Sequence, residues 1–258
     1  MHYMKRTYPF FVFVTLGACG GGGGSLTPPP PPVVNASPGG IWNGTDSLSG
    51  LSVEGLVTET GEFHFIRSDL AQYIGTVSVS GNAISGNLQG FAEFGTAFPD
   101  GSTHGTGTIT GTVSERSTLN VSISFKTDAG TSTSTNVPLT FNALYNNTSS
   151  LATISGNYTE ASTGTVFSVS GNGTVFAQDA ADGCVVNGTI SIIDTSYNAY
   201  DVSYTYSSCV GPVAVLNGVT ATGLATLNTT VSPAQAIVAV SGTVGTQSVA
   251  LVEALNKM

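Results

Sequence analysis

The strongest constraint on this chain is a two-residue alternation of apolar and polar side chains that recurs from Ile41 onward. "TLNVSISF" sets Leu119, Val121, Ile123 and Phe125 on one face, and "DVSYTY" does the same with Val202, Tyr204 and Tyr206. Side chains alternate across a strand, so each segment buries one face of a sheet. "GTVSVSGNAISGNL" carries the pattern through Val77 and Val79, breaks at Ser80-Gly81-Asn82 and resumes at Ile84. Gly and Asn accept turn backbone, so Asn43-Gly44, Asn172-Gly173 and Asn217-Gly218 read as hairpins or bulges. No window carries an amphipathic helix, since "PAQAIVAV" is too short and too β-branched. The pattern predicts an all-β chain of about fifteen or sixteen short antiparallel strands.

The alternation is also doubled. "GEFHFI" at Gly61 matches "GTVFAQ" at Gly173, and "GTVSV" at Gly75 matches "GTISI" at Gly188. "TGTV" at Thr110 matches "TGLA" at Thr222, and "NALYN" at Asn142 matches "EALNK" at Glu253. The offsets are 112, 113, 112 and 111 residues, in order along the chain. "GIWNGT" and "GNYTEA" open the two halves, with Trp42 and Tyr158 in corresponding places. A duplicated unit of about 110 residues holds about eight strands, the size of a small meander barrel. We therefore expect a duplicated antiparallel meander of two tandem barrel-like units, residues 41–148 and 149–258. The alternative is one larger sandwich or barrel built from both halves. A β-solenoid needs a shorter repeat, and a transmembrane barrel needs aromatic girdles that one Trp does not supply.

Ahead of the body, Lys5 and Arg6 precede the apolar run "PFFVFVTL", far short of the roughly 20 residues of a spanning helix. Leu16-Gly17-Ala18-Cys19 follows. These residues resemble the lipobox of bacterial lipoproteins. The resemblance implies a signal peptide over residues 1–18 and a lipid on Cys19 that partners the bilayer. Gly20 after the Cys implies an outer-membrane destination in a Gram-negative cell, facing the periplasm or the surface. An outward-facing plasma-membrane lipoprotein is the alternative. Residues 19–40 read as a tether: five glycines give flexible coil, and Pro28–Pro32 give extended polyproline II. Stretched, the tether reaches roughly 70 Å.

The opening triplet of the body, Gly40-Ile41-Trp42, resembles the start of lipocalin-like and avidin-like barrels. With the export signal and Gly-rich strands, it is also similar to lipoproteins carrying transferrin-binding-protein-type barrels. These resemblances imply a barrel that could hold a small apolar ligand. They carry over no binding residue.

Once Cys19 is lipidated, Cys184 and Cys209 are the remaining cysteines. They flank two strands whose turn lies near residues 195–198, and an exported site is oxidising, so a disulfide is expected. Strict pairing of the cysteines puts Ile190 opposite Ser203, one residue out of step with the apolar faces. A bulge at Gly188 would reconcile them.

Charged residues make up 8% of the chain, against about 25% in ordinary domains. Beyond the signal, four basic residues (Arg67, Arg116, Lys126 and Lys257) stand against 15 acidic ones, which argues against nucleic acid as a partner. His64 alternates with Phe63 and Phe65 on a strand. His104, Asp100 and Ser102 share the loop "FPDGSTHGTG", where a Ser–His–Asp relay could be drawn, but residues so close in a loop seldom hold that geometry. No nucleophile elbow, zinc helix, P-loop or EF-hand loop occurs. No catalytic residue, metal or cofactor is assigned. Tyr197 and Tyr200, at the expected hairpin tip, are the candidate contact surface, while Tyr204 and Tyr206 read as core. The expected function is a non-enzymatic envelope lipoprotein: a binding or interaction module that could carry a small apolar ligand, or a structural or secretion accessory that contacts envelope proteins; a hydrolase using the Asp100–His104 loop is the third alternative.

Overall fold

The computed structural model describes residues 34–258, apart from 245 and 246. Within them the chain forms two closed antiparallel barrels of eight strands each. The first comprises β1 (Gly40–Thr45), β2 (Ser52–Val57), β3 (Glu62–Arg67), β4 (Gln72–Ser80), β5 (Ala83–Phe91), β6 (His104–Ser114), β7 (Thr118–Thr127) and β8 (Ser132–Asn142). The second comprises β9 (Gly156–Glu160), β10 (Val166–Val169), β11 (Thr174–Gln178), β12 (Val185–Ile192), β13 (Tyr200–Ser207), β14 (Thr220–Asn228), β15 (Gln235–Val244) and β16 (Gln247–Lys257). Each strand pairs with its neighbour in sequence, and β1–β8 and β9–β16 close the two rings. Closure leaves no free sheet edge, and it excludes a single sandwich or barrel shared by both halves.

Three of the four sequence matches fall on equivalent strands; in the fourth, "NALYN" leaves β8 for a 3-10 turn (Ala143–Asn146) whereas "EALNK" stays within β16. "GEFHFI" and "GTVFAQ" run into the third strand of each barrel, and "TGTV" and "TGLA" lie in the sixth. Gly61 and Gly173 show the correspondence at atomic detail. Both have positive φ, +91° and +85°. Their N–H groups donate to Thr58 and Ser170, and their carbonyls accept from Val77 and Ile190. A Cβ on either would meet that partner's carbonyl oxygen, at 2.2 and 2.3 Å. Asn43-Gly44 is a correction: the pair lies inside β1 and makes no turn, and a Cβ at Gly44 would strike the Pro138 carbonyl at 2.1 Å.

Each barrel is plugged at the end where its first strand begins. In the second, the short helix α1 (Leu151–Ile154) turns under the barrel and buries Ile154. In the first, the plug is made by residues expected to lie in the tether. Ala36 N–H donates to Gly81, Asn35 accepts from Gly81, and Pro38 accepts from Trp42, so the folded body starts near Asn35. The rest of the tether lies outside the described residues.

A third apolar cluster joins the barrels: Ile41 and Leu56 from the first, Ala199 and Leu224 from the second, and Tyr145 from the connection. Tyr145 and Tyr197 stack with centroids 4.9 Å apart and planes 13° off parallel. The Arg116 guanidinium lies 4.8 Å from each ring and donates to Glu59 at 2.7 Å. Buried Asn198 completes the joint, with its amide exchanging hydrogen bonds with the Leu227 backbone at 2.8 and 3.0 Å.

Candidate functional site

Both interiors are closely filled, and the barrels differ at one end, where the side-chain sizes diverge. The first barrel is filled by Trp42, Phe63, Phe65, Phe98 and Phe125, leaving an internal void of about 10 Å³. On the third strand of the second barrel, Phe63 and Phe65 give way to Val175 and Ala177, by the 112-residue offset. On the fourth, Tyr73 gives way to Val186, since Phe65 pairs with Tyr73 and Ala177 with Val186. Val175 borders an internal void of only about 30 Å³, while Ala177 and Val186 stand at the barrel's mouth without the rings of Phe65 and Tyr73. A pocket of about 360 Å³ opens at that mouth, the end of the second barrel opposite α1. Phe167, Ala177, Val186 and Leu251 form apolar wall, with Tyr206 beside its strand partner Val186.

Acidic groups converge on this pocket. Glu253 occupies the inward face of β16, in step with Val249 and Leu251. It is buried, and its Oε1 accepts from the Tyr204 hydroxyl at 2.9 Å and the Tyr206 hydroxyl at 3.5 Å. Its Oε2 has no protein partner. Burial pushes its pKa up to about 7, and the nearby carboxylates of Glu160 and Glu93 add to the rise. Burial likewise holds both tyrosine hydroxyls well above their usual range. Glu160, at the end of β9, pairs with Leu255, and its carboxylate accepts from the Ser162 hydroxyl at 2.5 Å and from the Thr163 hydroxyl at the pocket's edge.

The first barrel supplies the third acid. Its β5–β6 loop reaches across to β16, where Phe94 N–H donates to Ala250 at 3.0 Å. Phe94 packs on the second barrel's core, and Glu93 lines the pocket beside it. The Glu93 carboxylate accepts from Val252 N–H, its Oε2 is unpartnered, and burial pushes its pKa up to about 7. No Lys, Arg or His is among the described residues that line the pocket.

A second, larger hollow of about 900 Å³ lies between the barrels, walled by the outward faces of β3–β6 and β12–β15. Its surface is mostly Thr, Ser, Asn and Gln, with Glu62 and Asp201 as its acids and no aromatic side chain but His64. Burial raises both acid pKa values, and Asp201 also raises that of Glu62. His64 is buried beneath the cleft with Nδ1 unpartnered, and desolvation lowers its pKa to about 4.

The residues singled out from sequence fare unequally. Cys19 lies outside the described residues. Cys184 and Cys209 are bonded, with an S–S distance of 2.06 Å, beside the pocket rim. The register needs no bulge at Gly188, since β12 and β13 pair without interruption from Val185–Ser207 to Ile192–Tyr200. Ser208 absorbs the one-residue offset in left-handed backbone, φ 61°. Gly188 serves close packing instead, as a Cβ there would stand 2.3 Å from that of Tyr204.

Tyr197 and Tyr200 do not form an exposed surface. Tyr197 is committed to the stack with Tyr145, and Tyr200 is 1% exposed in the second core, its hydroxyl accepting from Ser150 N–H at 3.2 Å. The Asp100–His104 loop builds no relay. Asp100 accepts from Thr127, Ser102 Oγ accepts from Ala129 N–H at 3.0 Å, and His104 Nδ1 lies 3.2 Å from Asp128.

Sequence reasoning missed Glu93, Glu160 and Glu253. A signal for Glu253 was present: in "SVALVEALN" it interrupts an otherwise apolar alternating face. Glu93 had none, because its place depends on a loop crossing between barrels. Comparison with protein-family models, curated proteins and solved structures finds no match.

Proposed function

We propose that this chain is an envelope lipoprotein, held at the outer membrane by a lipid on Cys19, whose second barrel binds a small, largely apolar ligand. The observation that carries the reading is the 360 Å³ pocket at the mouth of the second barrel, above an interior whose void is only about 30 Å³. Small-molecule sites are concave, mostly apolar, and about 300–1,000 Å³ in volume. The pocket has that size, and carboxylates from three separate elements line it. The tether suits a binding module that works away from the bilayer.

The test is binding of the neutral fluorophore N-phenyl-1-naphthylamine to the full chain and to Ala177→Phe, which restores the ring present in the first barrel. Saturable binding lost in the variant supports the reading. Equal binding by both, or by neither, overturns it. Replacing Cys19 by Ser should release the protein from membranes, and continued membrane association would overturn the anchor.

The cleft between the barrels favours a second reading, an interaction module for a polar partner. Its Thr- and Ser-rich walls suit hydrogen bonding to an extended hydrophilic chain. Glu62→Lys with Asp201→Lys should then abolish partner capture while leaving fluorophore binding intact.

A further inference from the structure

We propose that the pocket in the second barrel selects an amphiphile with a protonated amine, its alkyl part against Phe167, Ala177, Val186 and Leu251 and its ammonium among Glu93, Glu160 and Glu253. The inference rests on the ligand-binding reading above and specifies the chemistry of the ligand.

Three observations carry it. The first is geometry: carboxylates from three separate elements, β9, β16 and the β5–β6 loop, face one cavity whose remaining wall is largely apolar. The second is the unpartnered oxygen. Glu253 is buried and Glu93 partly so, and each has one carboxylate oxygen used and one with no protein partner. A buried polar atom without a partner is costly, so groups like these mark where a ligand's donors belong. An alkylammonium offers three donors on a compact head. The third is sign: with no basic side chain in the lining, a carboxylate ligand would meet only like charge.

Proton linkage follows. The titratable groups facing the pocket are Glu93 from the loop, Glu160 from β9, Glu253 from β16, Tyr204 and Tyr206 from β13, and Asp179 and Asp182 from the β11–β12 connection. Glu93 and Glu253, pushed up to about 7 by burial, are half protonated near neutrality. An ammonium favours their ionised forms, so binding expels protons and tightens as pH rises from 6 to 8.

The experiment titrates the full chain by calorimetry with hexylamine, hexan-1-ol and hexanoate at pH 6 and pH 8. It includes Glu253→Gln, which keeps an acceptor for Tyr204, and Glu93→Gln on the loop. Hexylamine should bind at least about tenfold more tightly than hexan-1-ol at pH 8, with hexanoate weakest. The preference should shrink at pH 6 and in either Gln variant, and Ala177→Phe should block all three ligands. If hexan-1-ol or hexanoate binds as tightly as hexylamine, and Ala177→Phe blocks it, the pocket stands and the amine inference falls. If nothing binds, or Ala177→Phe changes nothing, both fall.

Discussion

Trp42 and Tyr158 occupy the same place in the two barrels, and each donates from its ring to the carbonyl four residues upstream. The Trp42 indole N–H reaches Pro38 at 3.1 Å and the Tyr158 hydroxyl reaches Ile154 at 2.6 Å. Different residues thus tie each first strand to the plug beneath it. Tyr158→Phe keeps the ring and loses the hydrogen bond, so it should cost about 1 kcal/mol in urea unfolding. Trp42→Ala also empties a core site and should cost about 3–5 kcal/mol. Similar losses from both would contradict this division of roles.

Gly188 is fixed by the tyrosine across from it. A Cβ there would lie 2.2 Å from the Ser203 carbonyl and 2.3 Å from Tyr204 Cβ. Gly188→Ala should destabilise by about 1–3 kcal/mol, as overpacking does, and in a double-mutant cycle that loss should be smaller when made in a Tyr204→Gly background than alone. Thermal melts of the single and double variants check it.

The Cys184–Cys209 bond closes a loop with a sequence separation of 25. On a chain-entropy account it contributes about 3 kcal/mol. Replacing both cysteines by Ala should lower stability by about that amount. Because both are buried and Cys184 lines the pocket, the change should also weaken fluorophore binding.

Glu253 makes stability depend on pH with a definite sign. Its folded pKa is raised to about 7 from an ordinary value of 4.5, so folding favours the protonated form. Its contribution is full below about pH 4.5 and is lost as pH rises through about 7, on the order of 3 kcal/mol. Glu93 acts in the same direction. His64, lowered to about 4 by burial, acts oppositely, its contribution being lost as pH falls from 6.5 to 4. Glu253→Gln removes one contributor. Its melting temperature relative to the unsubstituted protein should therefore rise between pH 5 and pH 8, and a constant difference would contradict the burial account.

Much of this fold was legible because its signals are local or repeated. Alternation marks strands, and the 112-residue offset marks the duplication, so two eight-stranded barrels follow from pattern alone. The disulfide followed from the placement of its cysteines around one turn. The register was not legible, because left-handed backbone at Ser208 looks like any other serine in sequence. Tyr200 was placed outward because the tip was drawn too long, although it stands in phase with Val202, Tyr204 and Tyr206. The pocket was hidden for a different reason. Part of its wall is a pair of absences, Ala177 and Val186 where the first barrel has rings, and these show only once the halves are aligned in space. The joint between the barrels, where Tyr197 meets Tyr145, depends on packing that no strand pattern encodes.

The central claim is that the second barrel holds a ligand in the space those rings would fill. Its most direct test is native mass spectrometry of the protein purified from its own envelope, alongside Ala177→Phe prepared identically. The account predicts a bound small molecule on the unsubstituted protein and none on the variant. Absence of bound mass from both, or the same bound mass on both, would contradict it.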